Sequence, residues 1–362
     1  MPLIMNIEDI DSLDGLAPRA CELCKRNDKV FRCSACQAVF YCGRDCQVQD
    51  REDHKIPCKL LRKAHKRYRE EEQKLREWQE DIDIPENVFE EHAGRFWRIM
   101  GTRPYMVARF DLAHIMNDSY GTPGGPRDLV QDMLDHYLDM LRLSRSDGLG
   151  VHEIIPALYV RLGRDQDAYD FLRWYADVNE NPNYDWGNMA LPFVDTKDAN
   201  ALEEPLQRAW TAKSYLDLSH AVTLLLIKVR ILLDLQSVQN TTTALGGTFP
   251  PEIIGLIDGK LVRRDTLFRH HSLLSRPEKL EPLMKNIKSQ IREVYKAVGD
   301  YNPHFWNLMV DNPDACVLQR PQFDGYAQRS EEEALFILDY TFAAWYETPG
   351  AVKMLRDLAK MK

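Results

Sequence analysis

The residues of this 362-residue chain with the clearest chemistry are seven of its eight cysteines, which lie with one histidine in a stretch of 38 residues. They form four pairs. Two are Cys-x2-Cys pairs, each able to place both sulfurs on one tight turn, and two are spaced i, i+4 and share a face of a helical turn. Thiolate and imidazole suit Zn2+, and a structural zinc site takes four such ligands. The pattern predicts two closed zinc sites built from Cys21, Cys24, Cys33, Cys36, Cys42, Cys46, His54 and Cys58. Sequential and interleaved pairings fit these donors equally well.

The main alternatives for these cysteines are a disulfide framework and a set of reactive thiols. Disulfides belong to oxidising compartments. The N-terminal sequence MPLIMNIEDIDSLDG is acidic and has neither the basic start nor the continuous apolar core of a secretory signal. A single cysteine, Cys316, lies outside the cluster. We therefore expect metal ligands in a reducing environment, in an intracellular protein that is either cytoplasmic or nuclear.

The spacing resembles the MYND-type zinc finger over all eight ligands, and so do the words Phe40-Tyr41-Cys42 and Cys46-Gln47. That family interleaves its pairs. The resemblance implies two structural zinc ions, the first held by Cys21, Cys24, Cys42 and Cys46 and the second by Cys33, Cys36, His54 and Cys58.

Fingers of this family dock short proline-containing peptides through residues that follow the sixth ligand. The resemblance implies such a contact for Gln47, which comes directly after Cys46. The tryptophan that the family usually carries five positions after the sixth ligand is Arg51 here. The aromatic wall for the usual peptide is therefore absent or changed. Arg51 is a second candidate contact, suited to an acidic ligand, and a plain surface residue is the alternative.

Charge limits the partners of the chain. Its formal charge is −9, and seven thiolates with two Zn2+ ions would add about three negative charges. This acidity disfavours nucleic-acid binding by the whole chain. Residues 59–69 are a local exception, with six basic residues and no acidic one. Such a segment favours a solvated helix, and a patch for phosphate or for an acidic partner is the alternative.

The sequence predicts a mostly α-helical protein in four parts: a flexible tail at 1–16, the finger at 17–60, a charged linker helix at 61–84 and an all-helical domain at 85–362. Within the finger, the helical part covers Arg44 to Ile56, and Pro57 is expected to end that helix. A finger of this size buries little apolar surface, so zinc must supply most of its folding free energy, on the order of 10 kcal/mol per structural site. We expect chelation to unfold the finger and to leave the rest folded.

Two predicted helix pairs open the helical domain: Tyr105–Asn117 with Arg127–Arg142, and Val151–Leu162 with Arg164–Tyr175. The words Arg127-Asp128 and Arg164-Asp165 recur 37 residues apart, close to the tetratricopeptide period. Over residues 96–176 the wording resembles degenerate tetratricopeptide-like repeats, without the usual proline between them. The resemblance implies a concave peptide-binding surface. The simpler interpretation of the stripe Tyr137, Leu138, Leu141, Tyr169, Leu172 and Tyr175 is a core between helices.

Further helices are predicted towards the C-terminus. The segment Ser214–Gln239 is apolar on nearly every side and is expected to be the central buried helix. Ser330, followed by three acidic residues, is expected to cap a helix that runs to Tyr346. His270 and His271 lie in a turn-rich region and are interpreted as surface histidines.

The sequence contains little that indicates catalysis. No phosphate-binding loop, dinucleotide-binding glycine motif, nucleophile elbow or His-Glu-x-x-His occurs. Some proteins with the MYND-type finger are lysine methyltransferases, but the Asn-His-Ser-Cys-type motif of their SET domain is missing here. We therefore expect a non-catalytic adaptor that binds other proteins, with proline-containing peptides as one class of ligand. A diverged lysine methyltransferase and a nucleic-acid regulator that uses residues 59–69 are the alternatives.

Overall fold

The computed structural model describes residues 13–77, 87–205, 207–212, 216–244, 280–318 and 326–360. This part of the chain is mostly α-helical, as predicted, and its strands are confined to the finger. It forms two compact units, one built from Asp14–Leu158 with Asp185–Phe193 and the other from Tyr159–Tyr184 with Val194–Lys362. None of the described helices is both long enough and apolar enough to cross a bilayer.

Parts of four predictions fall outside the described residues. They are the tail at 1–12, the end of the linker helix at 78–84, the first two residues of the predicted buried helix, and the turn-rich region with His270 and His271.

The first unit begins with a small antiparallel hairpin, in which β1 (Phe31–Arg32) pairs with β2 (Phe40–Tyr41). Its helices are α1 (Arg44–Gln49), α2 (Arg51–Glu77), α3 (Val88–Glu91), α4 (Arg103–Tyr120) and α5 (Arg127–Leu143). Single 3-10 turns lie at Phe96–Arg98, Met100–Thr102 and Val151–Glu153. Helix α4 packs against both α2 and α5 and is therefore central to the unit.

The prediction that Pro57 ends the finger helix was wrong. Helix α2 continues from Arg51 through Pro57 to Glu77, a length of 27 residues. A proline inside a helix removes one hydrogen bond and costs about 3 kcal/mol. Two members of one metal-binding cluster, His54 and Cys58, flank Pro57, so coordination keeps the helix regular across the proline. Beyond it, Leu61 is fully buried, and packing against α4 stabilises the following turns.

Helices α4 and α5 confirm the first predicted helix pair, with slightly extended ends. Apolar residues recur along α5 every three or four positions, which places them on one face. The buried residues of that face are Leu129, Val130, Met133, Leu134, Tyr137, Met140 and Leu141. Burying one such side chain contributes about 1.5–3 kcal/mol, so the face accounts for the packing of α5. Tyr137 and Leu141 are therefore core residues.

The boundary between the two units lies within α6 (Ile155–Arg161), and the second unit begins at Tyr159. Its helices are α7 (Asp165–Asn179), α8 (Arg208–Thr211), α9 (Leu218–Ala244), α10 (Leu280–Tyr301), α11 (Phe305–Asp311), α12 (Ala315–Leu318), α13 (Glu331–Tyr346) and α14 (Ala351–Ala359). Helix α9 contacts α7, α8, α10, α13 and α14, and it is the central buried helix that the sequence predicts. The predicted serine cap is confirmed, since the Ser330 hydroxyl accepts a hydrogen bond from the Glu333 N–H.

The two predicted helix pairs differ in their dimensions. Helices α4 and α5 have 18 and 17 residues, whereas α6 and α7 have 7 and 15. Tyr169, Leu172 and Tyr175 of α7 are buried, as the core interpretation of the stripe requires. The likeness to tetratricopeptide repeats stays a prediction.

Buried charge pairs connect elements in the C-terminal part of the second unit. Arg161 forms a bidentate pair with Glu347, with N–O distances of 3.0 and 2.8 Å, and each side chain is 2% exposed. Arg230 of α9 pairs with Asp165 at 2.7 Å and donates to the Thr348 hydroxyl at 2.9 Å. Glu347 and Thr348 directly follow α13, so these contacts fix the turn between α13 and α14.

Replacing Glu347 by alanine leaves the Arg161 guanidinium buried without its carboxylate. We expect the free energy of unfolding to fall by about 3–5 kcal/mol, measured by chemical denaturation followed through tryptophan fluorescence. The control is Asp357→Ala, which removes one partner of the exposed Lys360 pair and should cost about 1 kcal/mol or less. Equal effects of the two changes would contradict a special role for the buried pair.

Candidate metal centre

Two turns of the same shape present the Cys-x2-Cys pairs. In each, the residue four positions after the first cysteine donates its backbone N–H to that cysteine's carbonyl: Lys25 to Cys21 at 3.0 Å, and Gln37 to Cys33 at 2.9 Å. Lys25 and Gln37 have φ angles of 58° and 57°, in the left-handed region that non-glycine residues avoid. Metal binding by both sulfurs of a pair offsets the strain of such a turn.

The first cluster joins one of these turns to the start of the finger's helical half. Its ligand atoms all lie within 4.8 Å of one another and belong to Cys21, Cys24, Cys42 and Cys46. The Sγ atom of Cys42 is 3.6 Å from that of Cys24 and 3.6 Å from that of Cys46. A tetrahedral Zn2+ with Zn–S bonds of about 2.3 Å separates its sulfurs by about 3.8 Å. The four thiols therefore fit one zinc ion.

The second cluster joins the other turn to helix α2. Its members are Cys33, Cys36, His54 and Cys58. The Cys33 and Cys58 sulfurs are 4.0 Å apart, and His54 Nε2 lies 3.4 Å from the Cys33 sulfur and 3.9 Å from the Cys36 sulfur. These distances again match a tetrahedral zinc site. The interleaved pairing is thus confirmed, the sequential pairing is excluded, and the protein binds two zinc ions.

A residue from outside the finger orients the histidine ligand. With Nε2 directed at the metal, His54 Nδ1 carries the proton and donates to the Tyr120 hydroxyl, 2.7 Å away. Burial lowers the pKa of His54, so its imidazole is neutral, as a ligand must be. Burial also raises the pKa of Tyr120, so its hydroxyl stays protonated beside the cluster. Tyr120 is the last residue of α4, and the site therefore depends on a helix well outside the finger.

Two further side chains support the second cluster. The Gln47 amide donates to the Cys33 sulfur at 3.5 Å, and a ring nitrogen of His65 lies 3.1 Å from the Cys36 carbonyl. The hydroxyl of Tyr41 donates to Asp50 at 2.5 Å and links β2 to the junction of α1 and α2. Hydrogen bonds of this kind fix the orientation of the ligands and tune their affinity for the metal.

The two clusters differ in their exposure to solvent. In the first, Cys24 is exposed and Cys42 and Cys46 are half-buried. In the second, Cys33 and Cys36 are buried. Thiols at the first site are therefore more accessible to chelators and oxidants than those at the second.

The finger is fastened to the helices of its own unit. Arg32 of β1 pairs with Asp132 of α5 at 2.7 Å, and Arg19 pairs with Asp128 at 2.8 Å. The backbone of Ala17 forms a short parallel bridge with the segment before α5. Helix α2 also runs from the zinc site along α4, which connects the finger to the helices. Unfolding of the finger alone on chelation stays a prediction, and these contacts favour a wider effect. Loss of zinc should loosen the whole first unit.

The predicted peptide contacts have different surroundings. The Gln47 side chain is half-buried and bonded to the Cys33 sulfur, so it supports the zinc site. Arg51 is the first residue of α2 and is exposed. Tyr120, His65 and Asp132 were not predicted as partners of the finger. Each lies far along the chain from its partner, and no spacing rule joins residues on separate elements.

Comparison with known proteins agrees with this geometry over the finger. Residues 21–58 match the family described as MYND finger, and the chain therefore contains a MYND finger. A histone-lysine N-methyltransferase of Arabidopsis thaliana, ASHR1, is 39% identical over 49 residues, which are 14% of this chain and 10% of that protein. Egl nine homolog 1 of Homo sapiens is 45% identical over 38 residues, 10% of this chain and 9% of that protein. The chain thus matches only about a tenth of the length of these curated relatives. No solved structure matches the chain.

Native mass spectrometry should detect two zinc ions on the wild type. Cys24→Ser should lose the first ion and keep the second, because the second cluster and its contact with Tyr120 are unchanged. Cys36→Ser should lose the second ion and lower the melting temperature further, by about 5 °C, because an additional loss of about 2 kcal/mol corresponds to roughly this shift at about 2–4 °C per kcal/mol in a domain of 150–250 residues. Loss of both ions in Cys24→Ser, or equal melting temperatures, would contradict the separate roles of the clusters.

Tyr120→Phe removes the acceptor for His54 Nδ1–H and keeps the ring. We expect the affinity of the second zinc to fall about 10- to 100-fold, with the first zinc unchanged, in a competition titration against a chromophoric chelator. Tyr184→Phe, in the second unit, is the control and should leave both affinities unaltered. A phenylalanine variant with wild-type zinc affinity would show that Tyr120 only fills space.

Proposed function

We propose that this protein is a non-catalytic adaptor, in which a zinc-stabilised finger and a helical scaffold each bind segments of other proteins. The closed zinc shells carry the proposal. Each cluster already contains four protein ligands, and a catalytic zinc needs an open position for water or substrate. The ions would then serve only to hold the surface of the finger in shape.

The exposed apolar side chains support a binding role for the finger. Phe31 on β1 is 70% exposed, and Val48 on α1 is 57% exposed. In the described part of the chain β1 pairs only with β2, so its outer edge has free backbone groups. An extended peptide can add to such an edge while its side chains occupy neighbouring apolar positions. The aromatic ring of Phe31 supplies an apolar contact for a proline-containing segment.

Arg51 would give this finger a preference for acidic ligands. It is exposed at the start of α2, where the MYND-type pattern usually has a tryptophan. A guanidinium pairs with a carboxylate and replaces aromatic stacking by charge. Gln47 is less available, because its amide already donates to the Cys33 sulfur. We propose a proline-containing segment with acidic residues as the ligand class, with Arg51 as the contact that distinguishes this finger.

A lysine methyltransferase is the second candidate, because one partial relative carries that name. The scarcity of strands supports the adaptor instead: the described residues contain only the two strands of the finger, whereas a SET domain is built mainly from strands. The reducing environment that free thiolate ligands need supports a place inside the cell, cytoplasmic or nuclear. A tetratricopeptide-like scaffold in the helical part belongs to the same proposal.

The test compares proteins that co-purify with the full-length, zinc-loaded chain by quantitative mass spectrometry. Phe31→Ser and Arg51→Glu should each deplete the same set of proteins about tenfold or more, the size of effect typical of interface anchors. Met100→Ser is the matched control, since Met100 is 61% exposed and lies outside the finger. S-adenosylmethionine should leave the melting temperature unchanged. A rise in the melting temperature on addition of S-adenosylmethionine would contradict the proposal. So would co-purification of the same proteins, in the same amounts, with the finger variants.

A further inference from the structure

Helix α2 carries a stripe of positive charge on the side opposite its buried face. The buried face comprises His54, Leu61, Ala64, His65 and Leu75. At 100° per residue, six exposed cations fall together on the other side and form what we call the basic stripe: Lys55, Lys59, Arg62, Lys63, Lys66 and Arg69. The stripe extends about 21 Å along the helix at 1.5 Å per residue.

Most of this charge is uncompensated within the described residues. Lys66 pairs with Glu70 at 3.5 Å, and both side chains are more than half exposed, so the pair is weak. Among the described residues, no ion pair involves Lys59 or Lys63. The chain as a whole has a formal charge of −9. A run of exposed cations in which, across the described part of the chain, only Lys66 has a weak carboxylate partner is an electrostatic site for an anionic partner.

Two aliphatic side chains lie beside the basic stripe. Ile56 is 62% exposed and Leu60 is 51% exposed, and the i, i+4 spacing makes them neighbours on α2. Lys59 follows Ile56 by three positions and Lys63 follows Leu60 by three, so each aliphatic side chain has a lysine beside it. The surface therefore combines apolar area with positive charge, and its complement must carry both apolar side chains and carboxylates or phosphates.

The length and surroundings of the basic stripe favour a short protein segment over a nucleic acid. Glu52 precedes the stripe on the same side of α2, and Glu70-Glu71-Glu72 follow it. A long polyanion would extend beyond the stripe onto these carboxylates, where like charges repel. A phosphate backbone also has nothing to cover Ile56 and Leu60. An acidic segment of about four helical turns, with aliphatic residues three or four apart, satisfies both requirements.

We infer that the solvent face of α2, from Lys55 to Arg69 with Ile56 and Leu60, is a second docking surface that binds a short acidic segment of a partner protein through charge and aliphatic contacts. The inference rests on the proposed adaptor function and adds a site distinct from the Phe31 edge of the finger. It also assigns a function to the charged segment that the sequence favours as a solvated helix.

The experiment selects binders from a displayed library of random peptides of about 16 residues, which span the stripe as a helix. Full-length, zinc-loaded protein is the bait, and the consensus peptide is then titrated by fluorescence anisotropy. We expect a consensus rich in Asp and Glu with aliphatic residues three or four apart. Its dissociation constant should rise about tenfold or more in Lys59→Glu/Lys63→Glu/Lys66→Glu and in Ile56→Ser/Leu60→Ser.

The control is Lys285→Glu/Lys288→Glu/Arg292→Glu, the same charge change on exposed positions of α10, which should leave binding unaltered. Retention of two zinc ions verifies that the first unit is folded in the α2 variants, and an unchanged far-UV circular dichroism spectrum verifies the α10 variant. A consensus without acidic residues, or equal binding by the charge-reversed protein, would overturn the inference. So would a single-stranded oligonucleotide that binds more tightly than the peptide and loses affinity only in the lysine variant. If Phe31→Ser abolishes peptide binding and the α2 variants retain it, the site on α2 is overturned and the adaptor function still stands.

Discussion

The coordination of His54 and Cys58 is the interaction on which the first unit depends. These two ligands lie on one helix, on either side of Pro57, and they share a cluster with Cys33 and Cys36 of the hairpin side. The same histidine reaches Tyr120 at the end of α4 through its other ring nitrogen. One metal site therefore joins the hairpin, the longest helix of the unit and its central helix. Without it, the proline inside α2 would favour a break at that point.

The consequence is a finger that is continuous with its scaffold. The ion pair between Arg32 and Asp132 and the bridge beside Ala17 fasten the hairpin to α5. A rigid attachment of this kind gives the exposed residues of the finger fixed positions, which lowers the entropy lost when a partner binds. It also presents the outer face of α2 as a firm extension of the finger. Under the proposed adaptor function, the edge of β1 and the outer face of α2 would offer two chemically different surfaces for two segments of one partner or for two partners.

The second unit is organised around a central helix and buried ion pairs instead of a metal site. Its central helix α9 is surrounded by other helices, and its interior contains the paired charges of Arg161 with Glu347 and of Arg230 with Asp165. Buried pairs add little net stability compared with apolar packing, but breaking one is costly. They therefore determine which helices pack together more than they add to the stability of that packing. Lys228, fully buried and bonded to the carbonyls of Ala201 and Glu203, acts in the same way.

The sequence by itself determined the ligands, their number and the helical class of the chain. Cysteine and histidine at fixed short spacings need only local geometry to form metal-binding turns, and apolar residues at helical spacing need only a partner face. The tertiary structure decided what depends on distant residues: the interleaving of the pairs within this chain, the continuation of α2 through Pro57, and the hydrogen bond from His54 to Tyr120. It also showed which cations of α2 lack carboxylate partners among the described residues. The helix-breaking tendency of Pro57 was outweighed by metal coordination and by the packing of the whole helix, which together cost more to lose than one hydrogen bond. These interactions involve distant residues, so a local sequence pattern does not reveal them.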